Sequence, residues 1–450
     1  MATDTPTTMP KQVSAPLYTR SLWTGKRFII VAFLFFNMFI NYMDRINLSV
    51  AAPIVARQYK WDPALMGWIF SGFLWTYMVC LIPWGWATDR YGSRRVGALS
   101  MTLWSLSGMA TGAIVGFGSM MASRLALGVG EGASFPISGK VVRQWFPAGE
   151  RGLATAIFNA GTFAGPAISA PVVAWLVLQA GWRWSFVITG AIGILWAILW
   201  LAFFRAPAEC SWLPEDERNY LLSQTGAPPK TAAPETPTKG ALGLLLSRKT
   251  MWGQFLTQGC CAYTMYLYLA WLPSYLVRER HMDLMKASWF TALPYLISVV
   301  LGIMIGKLSD SILTPEAVKQ GKRRTLLIIF ILLSSVVLLT NVVSNQWVVV
   351  ALISLALTSI SSALTLNIAM CNDLVWDPTM AATALGFQIL GGNTFGIFAP
   401  ILTGYIVKTT GSFNSAFFLA GGLLFLGAAT SLTMTRRPLA FGEDEKALAH

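Results

Sequence analysis

Gly85-Trp86-Ala87-Thr88-Asp89-Arg90-Tyr91-Gly92-Ser93-Arg94-Arg95 lies between two long apolar stretches and gathers two glycines, one carboxylate and three arginines into a short turn. Its skeleton, G-x-x-x-D-R-x-G-x-R-R, is more than a patch of orientation charge, which would need neither the spaced glycines nor the aspartate. A carboxylate at a helix end can pair with a cation or a helix N-terminus in one conformation and release it in another. The skeleton returns later in the chain. Gly306-x-x-x-Asp310 repeats Gly85-x-x-x-Asp89 at an offset of 221, and Gly321-x-Arg323-Arg324 repeats Gly92-x-Arg94-Arg95 at an offset of 229. The difference fits an insertion in the second turn. Gly161-x-x-x-Gly165 likewise returns as Gly392-x-x-x-Gly396. Together these matches argue for two duplicated halves facing each other across a central cavity.

The surrounding composition agrees. Of 450 residues, 55% are hydrophobic and 12% charged, against about 25% charged in a soluble globular chain. An ordinary soluble enzyme and a disordered scaffold are both excluded. A bilayer core of about 30 Å asks for ~20 apolar residues per helix. Twelve stretches meet that length: 28–50, 64–87, 96–117, 118–141, 152–178 and 184–204, then 250–276, 286–308, 325–344, 347–370, 381–407 and 412–434. Between the sets, 205–249 is polar and holds the runs Pro214-Glu215-Asp216-Glu217-Arg218 and Ala227-Pro228-Pro229-Lys230, which read as a linker. The expected fold is an all-α membrane protein. Twelve transmembrane helices form two pseudo-symmetric six-helix bundles, 28–204 and 250–434, around a central cavity, with a linker at 205–249 and tails at 1–27 and 435–450.

The net charge of +13 would suggest nucleic acid in a soluble chain. With the N-terminus placed inside, however, 24 of the 33 Lys and Arg residues fall in inner segments, 7 in outer loops, and Arg45 and Arg124 within spans. That asymmetry orients both tails to the cytoplasm and explains the basic balance without nucleic acid. The five cysteines include no C-x-x-C pair, and there are two histidines. Neither a disulfide framework nor a metal site is implied. Residues 1–22 lack the apolar region of a cleaved signal peptide, and no glycine-lysine nucleotide loop occurs. No cofactor is expected, so work done by the protein should draw on an ion gradient.

From these motifs the chain resembles the major facilitator superfamily. It is similar in more detail to the anion:cation symporter family, which includes bacterial galactonate, glucarate and hexuronate carriers and the animal sialin and vesicular glutamate transporters. The matching residues are Asn41-Tyr42-Met43-Asp44-Arg45, Arg124 through Glu131-Gly132 to Phe135-Pro136, Arg143-Gln144-Trp145-Phe146-Pro147 to Glu150-Arg151-Gly152, and Trp271-Leu272-Pro273-Ser274-Tyr275-Leu276. The resemblance implies that Asp44 and Glu131 titrate, that Tyr42 contacts substrate, and that Asn393 occupies a substrate-contacting asparagine position.

The residues support such a reading directly. Asp44, Arg45, Arg124 and Glu131 are ionisable groups within spans, each costing roughly 2.5–3.5 kcal/mol or more at mid-membrane, so they should face a watery cavity and pair. With both acids ionised their charges cancel. An entering carboxylate leaves the set at −1 and a proton restores neutrality, which couples anion and proton in a low-dielectric site. Arg45 is expected to grip the substrate carboxylate, since a guanidinium offers a planar two-point donor. Arg124 is expected to hold one of the acids ionised, and Tyr42 and Tyr77 to offer hydroxyls. The bland alternative is a static ion-pair network locking the first span to the fourth. Gly85, Asp89, Arg90, Gly92, Arg94 and Arg95 are expected to form a cytoplasmic gate. The second half contributes Gln258, Ser361, Thr365, Asn367, Gln388 and Asn393, amides and hydroxyls that suit a polyhydroxylated solute. Asp373 and Asp377 read as solvated loop charges.

The expected function is secondary, proton-coupled uptake of an organic anion, most simply a sugar acid such as an aldonate, aldarate or hexuronate. An aromatic or dicarboxylic acid would equally present a carboxylate to Arg45. Gly161-Thr162-Phe163-Ala164-Gly165-Pro166 resembles an antiporter motif and leaves a proton-driven exporter of drugs as an alternative, opposed by the cavity cation. An enzyme is not expected, for want of a nucleophile–base pair at membrane depth. The expected partners are the organic anion, protons and the bilayer, with the protein a functional monomer. The short 51–63 loop favours a bacterial inner membrane.

Overall fold

The computed structural model describes residues 25–225, 241–319, 321–375 and 378–436. Most of both expected tails, the run Ala227–Lys230, and Asp377 lie outside the described residues. The described residues are mainly helical: α1 (Phe28–Tyr59), α2 (Pro63–Tyr91), α3 (Ser93–Thr111), α4 (Phe117–Glu131), α5 (Ser134–Trp145), α6 (Arg151–Ala180), α7 (Trp182–Phe203), α8 (Glu215–Thr225), α9 (Ala241–Leu246), α10 (Lys249–Arg278), α11 (Leu284–Ile312), α12 (Pro315–Lys319), α13 (Lys322–Ser334), α14 (Gln346–Leu374), α15 (Pro378–Thr410) and α16 (Asn414–Met434). Among the described residues nine helices are long and apolar enough to cross a membrane. The protein is therefore a multi-pass membrane protein. The stretches expected at 96–117, 118–141 and 250–276 are not among the nine. In each case the interior is more polar or is broken: α3 opens on Ser93-Arg94-Arg95, and α10 carries Gln254, Thr257 and Gln258.

Local chemistry sets the ends. The Asp62 carboxylate accepts from the Leu65 amide at 2.9 Å and Pro63 starts α2, so the first orphan amides are capped. Asn345 caps α14 in the same way. The α2–α3 turn needs Gly92, whose φ is +83°, and the repeat-related Gly321 sits at φ +78° before α13. Such dihedrals are cheap only without a Cβ. The span expected as one helix over 118–141 is two, α4 and α5, separated at Gly132–Ala133. Pro136 has no N–H to return to the Gly132 carbonyl, so a continuous helix would lose a bond there.

α1 to α7 pack against one another, and α10, α11 and α13 to α16 form a second set, with α1 against α10, α2 against α15 and α6 against α11 joining the two. The joining contacts are tight where α1 ends and α2 begins. Ser49 Oγ donates to the Leu269 carbonyl at 2.6 Å, Trp271 Nε1 donates to the Pro400 carbonyl at 3.2 Å, and the Phe70 and Trp271 rings meet edge-on at 5.0 Å. Lys408 Nζ and an Asp62 oxygen lie 2.8 Å apart. That hydrogen bond, and the Leu65 amide, hold the Asp62 carboxyl below its ordinary value. The pair therefore persists at neutral pH and is lost only as pH falls through that depressed value.

Two glycines let the backbones meet at this seal. A Cβ at Gly67 would come within 2.5 Å of the Pro400 carbonyl oxygen, and one at Gly404 would collide with the Pro63 carbonyl. Gly404→Leu is accordingly expected to hold α2 off α15. A cysteine placed at Ala270 should then react several-fold faster with a membrane-impermeant maleimide than in the Gly404 parent. An unchanged rate would mean that the seal does not depend on this approach.

The stretch expected as a free polar linker is docked over its first part. Cys210, Leu213 and Leu221 are buried, and Trp212 stacks on Trp145 at 5.7 Å. Glu217 of α8 accepts from the Lys26 and Arg27 amides at 3.0 and 3.2 Å, capping α1. It also pairs with Arg27 Nη1 at 3.0 Å, while Arg27 grips Glu150 with two further bonds of 3.0 Å. The charge run at 214–218 is thus the cap and counter-ion of the first helix, which its polarity alone did not reveal.

Candidate functional site

α1 passes Asp44 and Arg45 through the middle of the first set as adjacent residues about 100° apart on the helix. They consequently face different neighbours. Arg45 meets Glu131 at the C-terminal end of α4: Nη2 donates to Oε2 at 2.9 Å and Nε donates to the same oxygen at 3.1 Å. Glu131 is fully buried and Arg45 7% exposed. The guanidinium carbon lies 4.6 Å from the centre of the Tyr42 ring, 4.7 Å from Phe73 and 5.5 Å from Tyr77. Three aromatic faces thus stabilise the cation beside its carboxylate. Both charged partners are needed here, because an unpaired buried charge is strongly unfavourable.

Arg45 lines a small cavity of about 20 Å³ together with Ser49, Phe73 and Arg124 from the first set and Tyr266, Ala270 and Pro400 from the second. The cavity is shared by both sets of helices, which is where an alternating carrier must hold its cargo. Tyr266 lies beside Arg45. Sequence reading missed it, because the run Tyr263-Thr264-Met265-Tyr266-Leu267-Tyr268 does not show which tyrosine turns inward. Five polar atoms around the site are buried without a hydrogen-bond partner: both amide atoms of Asn41, Asp44 Oδ2, Arg124 Nε and Glu131 Oε1.

Arg124 is also buried, but no carboxylate oxygen lies within 4.0 Å of it among the described residues. Its Nη2 donates to Thr111 Oγ1 at 2.5 Å, and its guanidinium carbon lies 5.8 Å from the Phe186 ring centre. Its charge still acts on Asp44 and Glu131. The expected Arg124–carboxylate ion pair is not made in this conformation; a threonine hydroxyl on α3 takes the guanidinium instead. The charged set therefore comes together as one pair, Arg45–Glu131, and two separate members, Asp44 and Arg124.

Tyr42 and Tyr77 join the Arg45 cluster. Asn393 is buried on α15, about two turns before Pro400, and does not line the cavity at Arg45. Other second-half amides hold helices together: Asn367 Nδ2 donates to Gln258 Oε1 at 2.9 Å and Gln388 Nε2 to Gln254 Oε1 at 2.9 Å, tying α14 and α15 to α10. Asp373 pairs with Arg323 at 2.9 Å instead of standing alone in solvent.

In the α2–α3 turn, Asp89 accepts from Lys140 Nζ at 3.1 Å, and Lys140 also donates to the Thr88 carbonyl at 2.7 Å. Arg94 donates to the Leu201 carbonyl of α7 at 3.1 and 2.6 Å. Arg90 lies over the Trp86 and Tyr91 rings, Arg95 is exposed, and a Cβ at Gly85 would meet nothing within 4 Å. Among the described residues this turn bonds only within the first set of helices, at the end of α2 opposite the Asp62–Lys408 seal.

This architecture and site define a helical membrane carrier, not an enzyme. The profile of the Major Facilitator Superfamily matches residues 34–318, and the chain belongs to that family. It is 32% identical over 410 residues to a protein of Escherichia coli K12 named as a probable galactarate/D-glucarate transporter, covering 88% of this chain and 91% of the relative. It is 31% identical over 411 residues to a hexuronate transporter of Bacillus subtilis 168, covering 90% and 94%. Among solved structures it shares its fold with a bacterial homologue of the human lysosomal transporter Spinster, with a TM-score of 0.73, 17% identity, and coverage of 91% and 97%. Transporters of this kind need no bound cofactor and run on ion gradients.

Proposed function

We propose that the protein is a proton-coupled symporter that takes up an organic anion, specifically a sugar acid of the aldonate, aldarate or hexuronate type. The observation that carries this reading is the buried Arg45–Glu131 pair inside an aromatic enclosure, at a cavity built by both sets of helices. Arg45 spends two donors on a single oxygen of Glu131, which leaves guanidinium hydrogens for an incoming carboxylate. A second anion in that enclosure is tolerated once Glu131 or Asp44 takes up a proton. Anion and proton are then favoured together. Tyr42, Tyr77 and Tyr266 supply hydroxyls for a polyhydroxylated chain, and Asn393 is a further contact once the halves close. The two relatives, named as a probable galactarate/D-glucarate transporter and a hexuronate transporter, support the same class of solute.

The membrane arrangement belongs to the same proposal. Residues 28–204 and 250–434 are two six-helix bundles, twelve spans in all, with α4 and α5 forming one broken span and α13 extending through Ser335–Asn341. The tails and the 205–249 linker lie in the cytoplasm of a bacterial inner membrane, and the working unit is a monomer. The seal at Asp62–Lys408 is then the outer gate, and the Gly85–Arg95 turn, held within one bundle, is the inner gate in its released state. The alternatives of an aromatic or other dicarboxylic acid and of drug export are outcomes of the test. Purified protein in proteoliposomes should accumulate radiolabelled D-glucarate, D-galactonate or D-glucuronate when the outside is acidic, and collapse of the pH gradient should stop accumulation. Accumulation that ignores the gradient, or failure with all three while a cationic dye is exported, would overturn the proposal.

A further inference from the structure

Arg124 is seated on a pair of neighbouring hydroxyls. Arg124 Nη2 donates to Thr111 Oγ1 at 2.5 Å, Thr111 and Ser123 hydroxyl oxygens lie 3.1 Å apart, and Ser123 Oγ donates to the Met120 carbonyl at 2.8 Å. Thr111 accepts from Arg124, and its one proton goes either to Ser123 or to the Ser107 carbonyl at 3.2 Å, while Ser123 donates to Met120. Thr111 is fully buried and Ser123 nearly so. Across the site, Asp44 Oδ2 and Arg124 Nε are both buried without a partner. An acid and a cation that act on each other thus stand apart, each with an unused bonding atom, while the cation is seated on two neutral hydroxyls.

We propose that the Thr111–Ser123 hydroxyl pair is an alternative seat for the Arg124 guanidinium, competing with Asp44 for it and so setting the pH at which the carrier loads its proton. The inference rests on the symport reading above. With Arg124 seated on Thr111, Asp44 lacks a hydrogen-bonded cation and is readier to take a proton. With Arg124 drawn to Asp44, the carboxylate is held ionised and the proton is shed. The other charged or titratable groups facing this region are Arg45 on α1, Glu131 on α4 itself and Tyr266 on α10, and Arg45 and Glu131 are already committed to each other. On α3 Thr111 holds Arg124 and Trp104 lies near Asp44, and the titratable residues of that helix, Arg94 and Arg95, lie at its far end. On α7 the facing side chains are Phe186 and Thr189, and Arg183 is occupied with the Gly112 and Ile114 carbonyls at 2.7 and 3.1 Å. Thr111 and Ser123 are positioning residues that act through Arg124.

Thr111→Val removes the acceptor with little change of shape. A hydrogen bond from a charged donor is worth on the order of tenfold in an equilibrium, so Arg124 should pass to Asp44. In proteoliposomes the pH of half-maximal D-glucarate uptake should then fall by about one unit. Thr111→Ser, which keeps the hydroxyl, should keep the wild-type profile, and Ser123→Ala should shift it part of the way in the same direction. A merely structural hydroxyl would lower the rate at every pH without moving the profile. A second readout needs no substrate: the infrared carbonyl band of protonated Asp44, assigned by its loss in Asp44→Asn, should titrate about one unit lower in the Thr111→Val protein. If wild-type protein transports none of the sugar acids, the symport reading fails and the infrared titration alone decides this proposal. Should Thr111→Val not fold, Ser123→Ala carries the comparison. An unmoved or alkaline-shifted titration in the folded variants overturns it.

Discussion

Replacing Arg45 with lysine is expected to cut sugar-acid uptake by at least ~100-fold while the protein still reaches the membrane. Two charge-assisted hydrogen bonds at about 1.5 kcal/mol each convert to roughly that factor. Arg45 holds Glu131 through Nε and Nη2 and keeps its remaining hydrogens for cargo, with Tyr42, Phe73 and Tyr77 against its plane. An ammonium is a point charge. It can replace the pairing with Glu131 or the grip on a substrate carboxylate, but not both in a planar two-point geometry, and it does not stack on rings as a guanidinium does. The measurement is initial uptake of radiolabelled substrate normalised to protein in the membrane, with the melting temperature as a fold control. Normal uptake by the lysine variant would remove Arg45 from substrate recognition.

Glu131→Gln is expected to separate two activities that the wild-type protein joins. The amide keeps the carboxylate's shape, and its oxygen can still accept from Arg45 Nη2, so a loaded carrier can reorient. It cannot take and give a proton. Uphill accumulation should fall to an inside-to-outside ratio near unity, while counterflow exchange of labelled for unlabelled substrate stays within a few-fold of wild type. The removed charge leaves Arg45 with a neutral partner, a costly arrangement in the apo protein that an anionic substrate relieves. Affinity should therefore be held or raised as coupling is lost. Undiminished accumulation against a gradient would mean that the proton travels elsewhere, and Asp44 would be the next residue to replace.

Much of this was readable from the chain, for identifiable reasons. Apolar length is a direct consequence of bilayer thickness, so long helices over 28–59 and 346–374 fall where the expected stretches 28–50 and 347–370 do. Gly92 and Gly321 matched in the repeated skeleton, and both occupy the left-handed backbone that only glycine adopts freely. Arg45 and Glu131 stood out because charge is expensive inside a membrane. The break between α4 and α5 was written in Pro136, but reading 118–141 only for the length of a span passed over it. Glu217 looked like part of a solvated linker, since polarity along a sequence cannot distinguish a carboxylate in water from one that caps a helix start remote in the chain.

What the sequence alone determined is the inventory: a membrane-spanning helical chain with a repeated glycine–acid–arginine turn, and four ionisable residues buried in its first half. Hydrophobicity, charge cost and backbone freedom are properties of single residues or short windows, so they survive in one dimension. What only the tertiary structure decided is partnership. Glu131 could have met Arg45 or Arg124, and Arg124 was expected to hold an acid. Instead Arg45 took Glu131 and Arg124 a threonine hydroxyl on α3. Those choices depend on distances between helices far apart in the chain and on rotation about each helix axis, which no local pattern encodes.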